Sequence, residues 1–210
     1  MQDGYRLLHP EFYRLAGPGG KITQGADQDW FPTFWQREAG CGPTAAAVVF
    51  AYLAQAYPRL RPLGPEETGR RDSFTTLMCR VWEYVTPGIY GLNRPQVMRD
   101  GMASYAKARG VELSPALLEI PAASTKRPSF AQVSRFVGRS LELECPVAFL
   151  NLHNGKVHEL DRWHWVTVAA LEGERAVILD SGHTLEINLA LWLSTTRRRG
   201  GFVSALGGTQ

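Results

Sequence analysis

One short segment of this chain has the composition of a nucleophilic site. Residues Gln36–Thr44 read QREAGCGPT, so Cys41 stands between two glycines where a run of helix-forming residues begins. Backbone N–H groups at a helix start have no partner within the helix and carry the positive end of its dipole. A cysteine there is favoured as the thiolate, which is the nucleophilic form. The side chain of Gln36 and the backbone N–H of Cys41 could together hold the oxyanion of a tetrahedral intermediate.

A nucleophilic cysteine needs a base, and the base needs a group that orients it. The sequence WHWVTV after Arg162 is typical of a strand, in which His164 shares one face with Val166 and Val168. The next apolar run ends at Asp180, just before a Ser-Gly turn. A hairpin through the intervening Glu-Gly-Glu sequence would bring Asp180 near the His164 end of the ladder. We therefore expect His164 to be the general base and Asp180 to be its orienting carboxylate.

Two other histidines and a second aspartate compete for these roles. His153 begins an HNGK sequence typical of a hairpin turn, and His158 stands among charged residues, as a solvated side chain would. Asp161 is the alternative carboxylate, and it shares a polar loop with an arginine. His164 is instead flanked by core residues, where an imidazole needs a structural or chemical reason. The pattern therefore favours His164 and Asp180.

Each candidate also has a purely structural interpretation. Cys41 would then be a small buried hydrophobic residue, Asp180 would bond to its own turn, and Gln36 would be an exposed loop residue. Cys79 lies inside a helical pattern and Cys145 opens a core strand, so we expect both to be structural.

A zinc site is the other chemical alternative, because one cysteine and three histidines lie close together in the sequence. They are Cys145, His153, His158 and His164. Their spacing lacks the closely paired ligands of standard zinc sites. We therefore predict neither a metal nor a cofactor.

The elements that must position these residues follow from hydrophobic periodicity. Helices are expected at 42–57, 74–84, 95–109 and 129–142. Strands are expected at 111–118, 146–152, 163–171, 176–179, 184–187 and 202–206, with a helical turn at 189–193. Residues 1–35 are predicted to form an irregular arm and residues 36–210 a single domain. Helices followed by an antiparallel sheet indicate an α+β protein.

Composition excludes several other classes of function. The chain has 210 residues and a formal net charge of +3, and its one basic run is Arg197–Arg199, so we predict no nucleic acid partner. Three distant cysteines are not a disulfide framework. Apolar stretches are too short for a membrane span, and the first residues lack the pattern of a signal peptide. A cytoplasmic protein is expected, with a signal peptide removed from upstream as the alternative; the oligomeric state stays open.

The order of the motifs resembles one known family. A glutamine before Cys-Gly-Pro-Thr at a helix start, then His-Trp-Val-Thr-Val, then Leu-Asp-Ser-Gly, is similar to the bacterial C39-like branch of the papain-like cysteine peptidases. The likeness spans residues 36–206, although only the motif regions are specific. It implies a papain-like fold in which the cysteine helix and the sheet form opposite walls of a cleft. It also implies the roles given above for Gln36, Cys41, His164 and Asp180.

The resemblance does not extend to every property of that family. Its bacteriocin-exporting members are fused to a membrane transporter, and no membrane segment is predicted in this sequence. Their specificity for double-glycine leaders is therefore not transferred to this chain.

Together these residues predict a hydrolase that attacks a peptide or other amide carbonyl and forms an acyl-thioester on Cys41. His164 would take the thiol proton and return it to the leaving amine. Water or a second amine would then release the acyl group, so peptidase, amidase and transpeptidase activities all fit the residues. The alternative is a non-catalytic module that keeps the papain-like fold and uses the cleft to bind a peptide or to regulate a partner.

Iodoacetamide labelling at about pH 6 tests the nucleophile without a substrate, because an ordinary thiol is almost fully protonated there. We expect peptide mass mapping to find Cys41 labelled well before Cys79 and Cys145. Replacing His164 with alanine should slow this labelling, because it removes the imidazolium that stabilises the thiolate. His153→Ala is the matched control and should leave the rate unchanged. Earlier labelling of Cys79 or Cys145 would contradict the assignment.

Overall fold

The first half of the chain is mainly helical and the second half mainly strand in the computed structural model, which describes residues 4–207. The helices are α1 (Phe34–Ala39), α2 (Cys41–Ala56), α3 (Arg71–Trp82), α4 (Pro95–Ala108), α5 (Phe130–Glu142) and α6 (Leu189–Thr195). The strands are β1 (Tyr5–Arg6), β2 (Arg14–Ala16), β3 (Ile22–Gln24), β4 (Ala116–Ile120), β5 (Val147–Asn151), β6 (His164–Glu172), β7 (Arg175–Asp180), β8 (His183–Asn188) and β9 (Gly200–Ser204). The predicted α+β class is confirmed. No helix within residues 4–207 has the length and apolar character needed to cross a membrane.

Local sequence signals explain where several elements begin and end. Ser129 and Gln132 form a reciprocal capping box that starts α5 close to its expected position. The strand expected at 111–118 begins only at Ala116. The N–H of Val111 still bonds to α4, and Pro115 has no N–H to contribute to a ladder.

Seven strands form the main sheet, and every pair in it is antiparallel. The order is β4-β9-β5-β6-β7-β8, and β1 pairs with β6 outside this path. Strand β6, which begins at His164, therefore has β5 on one side and β7 on the other. His164 itself pairs with Asn151 of β5, and β7 pairs with β6 from Thr167 onward.

The segment before α1 is more regular than the irregular arm expected from the sequence. Strands β2 and β3 form a small separate sheet, while β1 joins the main sheet. The arm also holds the turn between β7 and β8: Gly182 donates its N–H to the Ala26 carbonyl, and Gln24 donates to the Gly182 carbonyl. Residues 1–3 of the predicted arm and residues 208–210 of the predicted domain lie outside the described residues.

A β-bulge determines which face of the sheet the end of β7 presents. The register between β6 and β7 shifts by one residue at Ala169, and beyond the shift Thr167 pairs with Leu179. Asp180 follows Leu179, so its side chain falls on the same face as His164, diagonally across the two strands. Without the bulge, the register of the pairs next to the hairpin turn would continue to the end of β7, and Asp180 would then lie on the opposite face from His164. The bulge therefore places the carboxylate where it can reach the imidazole.

Helix α2 is the central helix of the core. Its residues from Gly42 to Leu53 are buried, and the helix packs against both β6 and α3. Leu92, in the loop before α4, closely approaches the helix start: a Cβ at Gly42 would lie 2.6 Å from its Cδ2 atom. The carbonyl of Leu92 accepts a hydrogen bond of 2.5 Å from the indole of Trp165. This loop therefore links the start of α2 to the start of β6.

Replacing Gly42 with alanine tests this close approach. Alanine stabilises a helix by about 1 kcal/mol relative to glycine. At this position, however, the added Cβ would overlap the Leu92 side chain. We expect a net decrease of about 1–3 kcal/mol in the free energy of unfolding, measured by urea denaturation. In a Leu92→Ala background the same substitution should be much less destabilising. If Gly42→Ala lowered the free energy of unfolding equally in both backgrounds, the contact between residue 42 and Leu92 would not be the cause.

Candidate active site

Cys41 is the first residue of α2, and its side chain is half-buried. The preceding Gly40 offers no side chain to cap the helix, and Thr44 donates its N–H to the Gly40 carbonyl at 2.9 Å. The N–H groups of Cys41 and Gly42 therefore precede the first hydrogen bond of the helix. The sulfur lies at the positive end of the helix dipole, which favours negative charge.

His164 and Asp180 form a hydrogen bond inside the same cavity as Cys41. The Nε2 atom of His164 lies 2.7 Å from Oδ1 of Asp180, and their side chains are only 15% and 10% exposed. Ser181 donates its hydroxyl to the same carboxylate oxygen at 3.0 Å. Ser181 and Gly182 both have positive φ, as a tight two-residue hairpin turn requires. The turn that ends β7 therefore also helps to orient the carboxylate.

The two ionisable groups shift each other's pKa in opposite directions. Burial alone would lower the pKa of His164, but the hydrogen bond to Asp180 and the neighbouring Cys41 sulfur outweigh it and raise the pKa to about 10. Burial would raise the pKa of Asp180, but the hydrogen bond from His164 lowers it below its usual value. The pair is therefore an imidazolium and a carboxylate at neutral pH. Because the Nε2 atom of His164 is hydrogen-bonded to Asp180, Nδ1 is the ring nitrogen that can interact with Cys41.

The other two cysteines lie in different surroundings. Cys79 is half-buried in α3, where burial and the nearby Glu83 raise the pKa of its thiol. Cys145 is fully buried beside the hydroxyl of Ser204, and burial raises the pKa of its thiol as well. Both are therefore poorer nucleophiles at neutral pH than free thiols.

Of the two glutamines near Cys41, the structure brings only Gln28 to the cavity. Thr33 is the N-cap of α1: its hydroxyl accepts the Gln36 N–H and donates to the Gln36 side-chain oxygen, and Gln36 is not among the residues lining the cavity. Gln28 lines the cavity, and its Nε2 atom donates to the Arg37 carbonyl at 2.7 Å. Sequence reasoning missed Gln28 because it lies in the arm, far from Cys41 along the chain.

The competing histidines and aspartate lie outside this cavity. His153 is held in its loop, where its Nδ1 atom accepts from the N–H groups of Gly155 and Arg197. His158 is exposed. Asp161 is also exposed, and it lies at the mouth of the adjoining cleft rather than against the imidazole.

Two further residues position His164, and neither has an obvious sequence signal. Trp163 has a φ of +63°, which is unusual for a bulky residue, and its indole donates to the Tyr90 carbonyl at 2.9 Å. Asn151 pairs with His164 across β5 and β6 and donates to the Asp161 carbonyl at 2.6 Å. Together they fix how the chain enters β6.

The cavity brings together a thiol, an imidazole and a carboxylate, those of Cys41, His164 and Asp180. Within the described part of the chain, no group of three or more His, Cys, Asp or Glu side chains could hold a metal ion. The chain matches no protein-family model and no curated protein. Functional inference therefore depends on the geometry of the site itself.

The shifted pKa values predict how stability changes with pH. Folding raises the pKa of His164 from 6.5 to about 10, so its stabilisation is complete below pH 6.5 and is lost as the pH rises towards 10. Folding lowers the pKa of Asp180 from 3.8, so its stabilisation is present above pH 3.8 and is lost at lower pH. The His164–Asp180 pair therefore contributes most to the free energy of unfolding between pH 3.8 and pH 6.5.

Urea denaturation of the wild type and of His164→Gln at a series of pH values measures this contribution. Between about pH 7 and 9 we expect the wild type to lose about 1 kcal/mol per pH unit relative to the variant. Parallel stability curves would mean that the pKa of His164 is not raised by folding.

Proposed function

We propose that this protein is a cysteine hydrolase that cleaves a peptide or another amide bond through an acyl-thioester on Cys41. The observation that carries the proposal is the hydrogen-bonded His164–Asp180 pair in one cavity with a cysteine at a helix start. These are the three roles that covalent acyl transfer requires. A helix-borne cysteine opposite a sheet-borne histidine also supports membership of the papain-like, C39-like peptidases.

Acylation begins with the Cys41 thiolate. Its sulfur attacks the carbonyl carbon, an S–C bond forms, and the π electrons of the carbonyl move to oxygen. When the tetrahedral intermediate collapses, the C–N bond breaks and the His164 imidazolium gives its proton to the leaving amine. Asp180 keeps Nε2 hydrogen-bonded throughout, so Nδ1 is the atom that transfers the proton.

Deacylation uses the same residues in reverse. Neutral His164 accepts a proton from a water molecule as the water oxygen attacks the thioester carbonyl. The C–S bond then breaks, the carboxylic acid departs, and the Cys41 thiolate and His164 imidazolium are restored. An amine in place of the water would give transfer instead of hydrolysis.

Gln28 is better placed than Gln36 to stabilise the oxyanion. In a continuous helix the Arg37 carbonyl would accept from the Cys41 N–H, four residues later. The Gln28 side chain bonds to this carbonyl, which leaves the Cys41 N–H to act on the substrate. An amide nitrogen carries two N–H groups, and only one from Gln28 bonds to the Arg37 carbonyl. The other can donate to the oxyanion of the substrate, together with the Cys41 N–H.

p-Nitrophenyl acetate tests the proposal without knowledge of the natural substrate. We expect it to acetylate Cys41, which intact and peptide mass measurements would show as an adduct that hydroxylamine removes. His164→Gln should slow the reaction by about 10²–10⁴. Cys79→Ala is the matched thiol control and should acetylate like the wild type. Acetylation of Cys41 no faster than of Cys79, or unaffected by His164→Gln, would favour the non-catalytic module instead.

The two glutamines can be compared in the same assay. We expect Gln28→Ala to lower the acetylation rate by about 10²–10³, the usual loss for one oxyanion donor. Gln36→Ala removes only the hydrogen bond that the Thr33 hydroxyl donates to the Gln36 side-chain oxygen, so it should lower stability by about 1 kcal/mol or less and leave the rate unchanged. The reverse pattern, with the rate depending on Gln36, would restore the assignment made from the sequence.

A further inference from the structure

An acidic cleft adjoins the Cys41 thiol and the His164 ring. Its cavity volume is about 400 Å³, and its walls carry four carboxylates against one guanidinium, that of Arg162. The carboxylates are Asp27, Asp29, Glu38 and Asp161. The chain as a whole has a formal net charge of +3, so the sign of the charge in this cleft is opposite to that of the whole protein.

Ion pairs to these four carboxylates are absent from the part of the chain that the structure describes. Asp27 accepts the Asp29 N–H and caps a short 3-10 turn, whereas the other three side chains are exposed. The one guanidinium in the cleft donates from Arg162 Nε to Asn154. Like charges concentrated in a cleft raise the local concentration of cations.

The floor of the cavity provides a second, independent indication of a ligand. Thr44 is only 8% exposed, and its hydroxyl oxygen has no hydrogen-bond partner. The side-chain oxygen of Gln28 is likewise buried without a partner. Both residues line the cavity beneath Cys41, and that cavity shares Gln28, Cys41 and His164 with the acidic cleft. Buried polar atoms are normally satisfied, so these two oxygens indicate that a hydrogen-bonding group enters the cavity next to the cleft.

We propose that the acidic cleft binds a positively charged side chain of the substrate, so that the hydrolase prefers peptides with Lys or Arg beside the scissile bond. This inference rests on the proposed function and adds a substrate class to it. The carboxylates attract the cation from both sides of the cleft, from the segment around α1 and from the loop before β6. The buried side-chain oxygen of Gln28, which lines both the cavity and the cleft, accepts an N–H group of the same bound peptide.

A matched pair of inactivators tests the preference. Lysyl and norleucyl chloromethyl ketones differ only in the terminal ammonium, and each alkylates a cysteine when its sulfur displaces chloride. We expect the lysyl probe to inactivate Cys41 about tenfold faster at low ionic strength, the lower end of electrostatic rate enhancements. The advantage should shrink in about 1 M salt, where the Debye length is about 3 Å. Equal rates for the two probes would overturn the proposal.

Two double variants show whether the cleft carboxylates are responsible. Glu38→Gln with Asp161→Asn removes one charge from each wall and should bring the lysyl-to-norleucyl rate ratio close to one. Glu112→Gln with Glu142→Gln removes two exposed charges away from the cleft and should preserve the ratio. Loss of the preference in both double variants would mean that overall charge, and not this cleft, selects the probe.

Iodoacetamide separates failure of this inference from failure of the proposed function. If iodoacetamide labels Cys41 ahead of Cys79 but the two ketones react equally, the catalytic proposal stands and the substrate class is wrong. If iodoacetamide shows no preference for Cys41, the proposed function fails and the inference fails with it.

Discussion

The hydrogen bond between His164 and Asp180 is the interaction on which the proposed chemistry depends. Both side chains are largely removed from water, and a buried charge is unfavourable unless a partner compensates it. Each therefore requires the other, and in the proposed chemistry the imidazolium that results is the proton donor to the leaving amine. The fold meets this requirement through backbone register: the bulge at Ala169 turns Asp180 to the correct face of the sheet. The arm then holds the turn beyond it through Gly182.

The opposite wall of the site depends on close backbone packing. Gly42 allows Leu92 to approach the start of α2, and the same loop accepts hydrogen bonds from Trp163 and Trp165 at the start of β6. Helix α2, which carries Cys41, and strand β6, which carries His164, are thus connected by one loop. Gln28 from the arm fixes the junction between α1 and α2. The arm consequently supports both halves of the site, although its sequence carries no recognisable motif.

The features that were predictable from the sequence are those that depend on local pattern. The α+β class and the position of α2 follow from periodicity, and Cys41 was singled out by its glycines and by the helix that follows. The β-bulge was not predictable, since either register buries apolar residues of β6 and β7. Gln28 could not be found either, because its approach to the site depends on the tertiary path of the arm. Gln36 has the shorter spacing from Cys41, but its side chain bonds to Thr33, the N-cap of its own helix.

The most direct test of the central claim is the pKa of His164, measured by NMR titration of the imidazole resonances. The account predicts a value well above 6.5, towards about 10, in the wild type. In Cys41→Ala it predicts a lower value, because one of the two partners that stabilise the imidazolium is gone, and in Asp180→Asn a lower value again for the same reason. Titration of His164 near pH 6.5, unaffected by either substitution, would contradict the account.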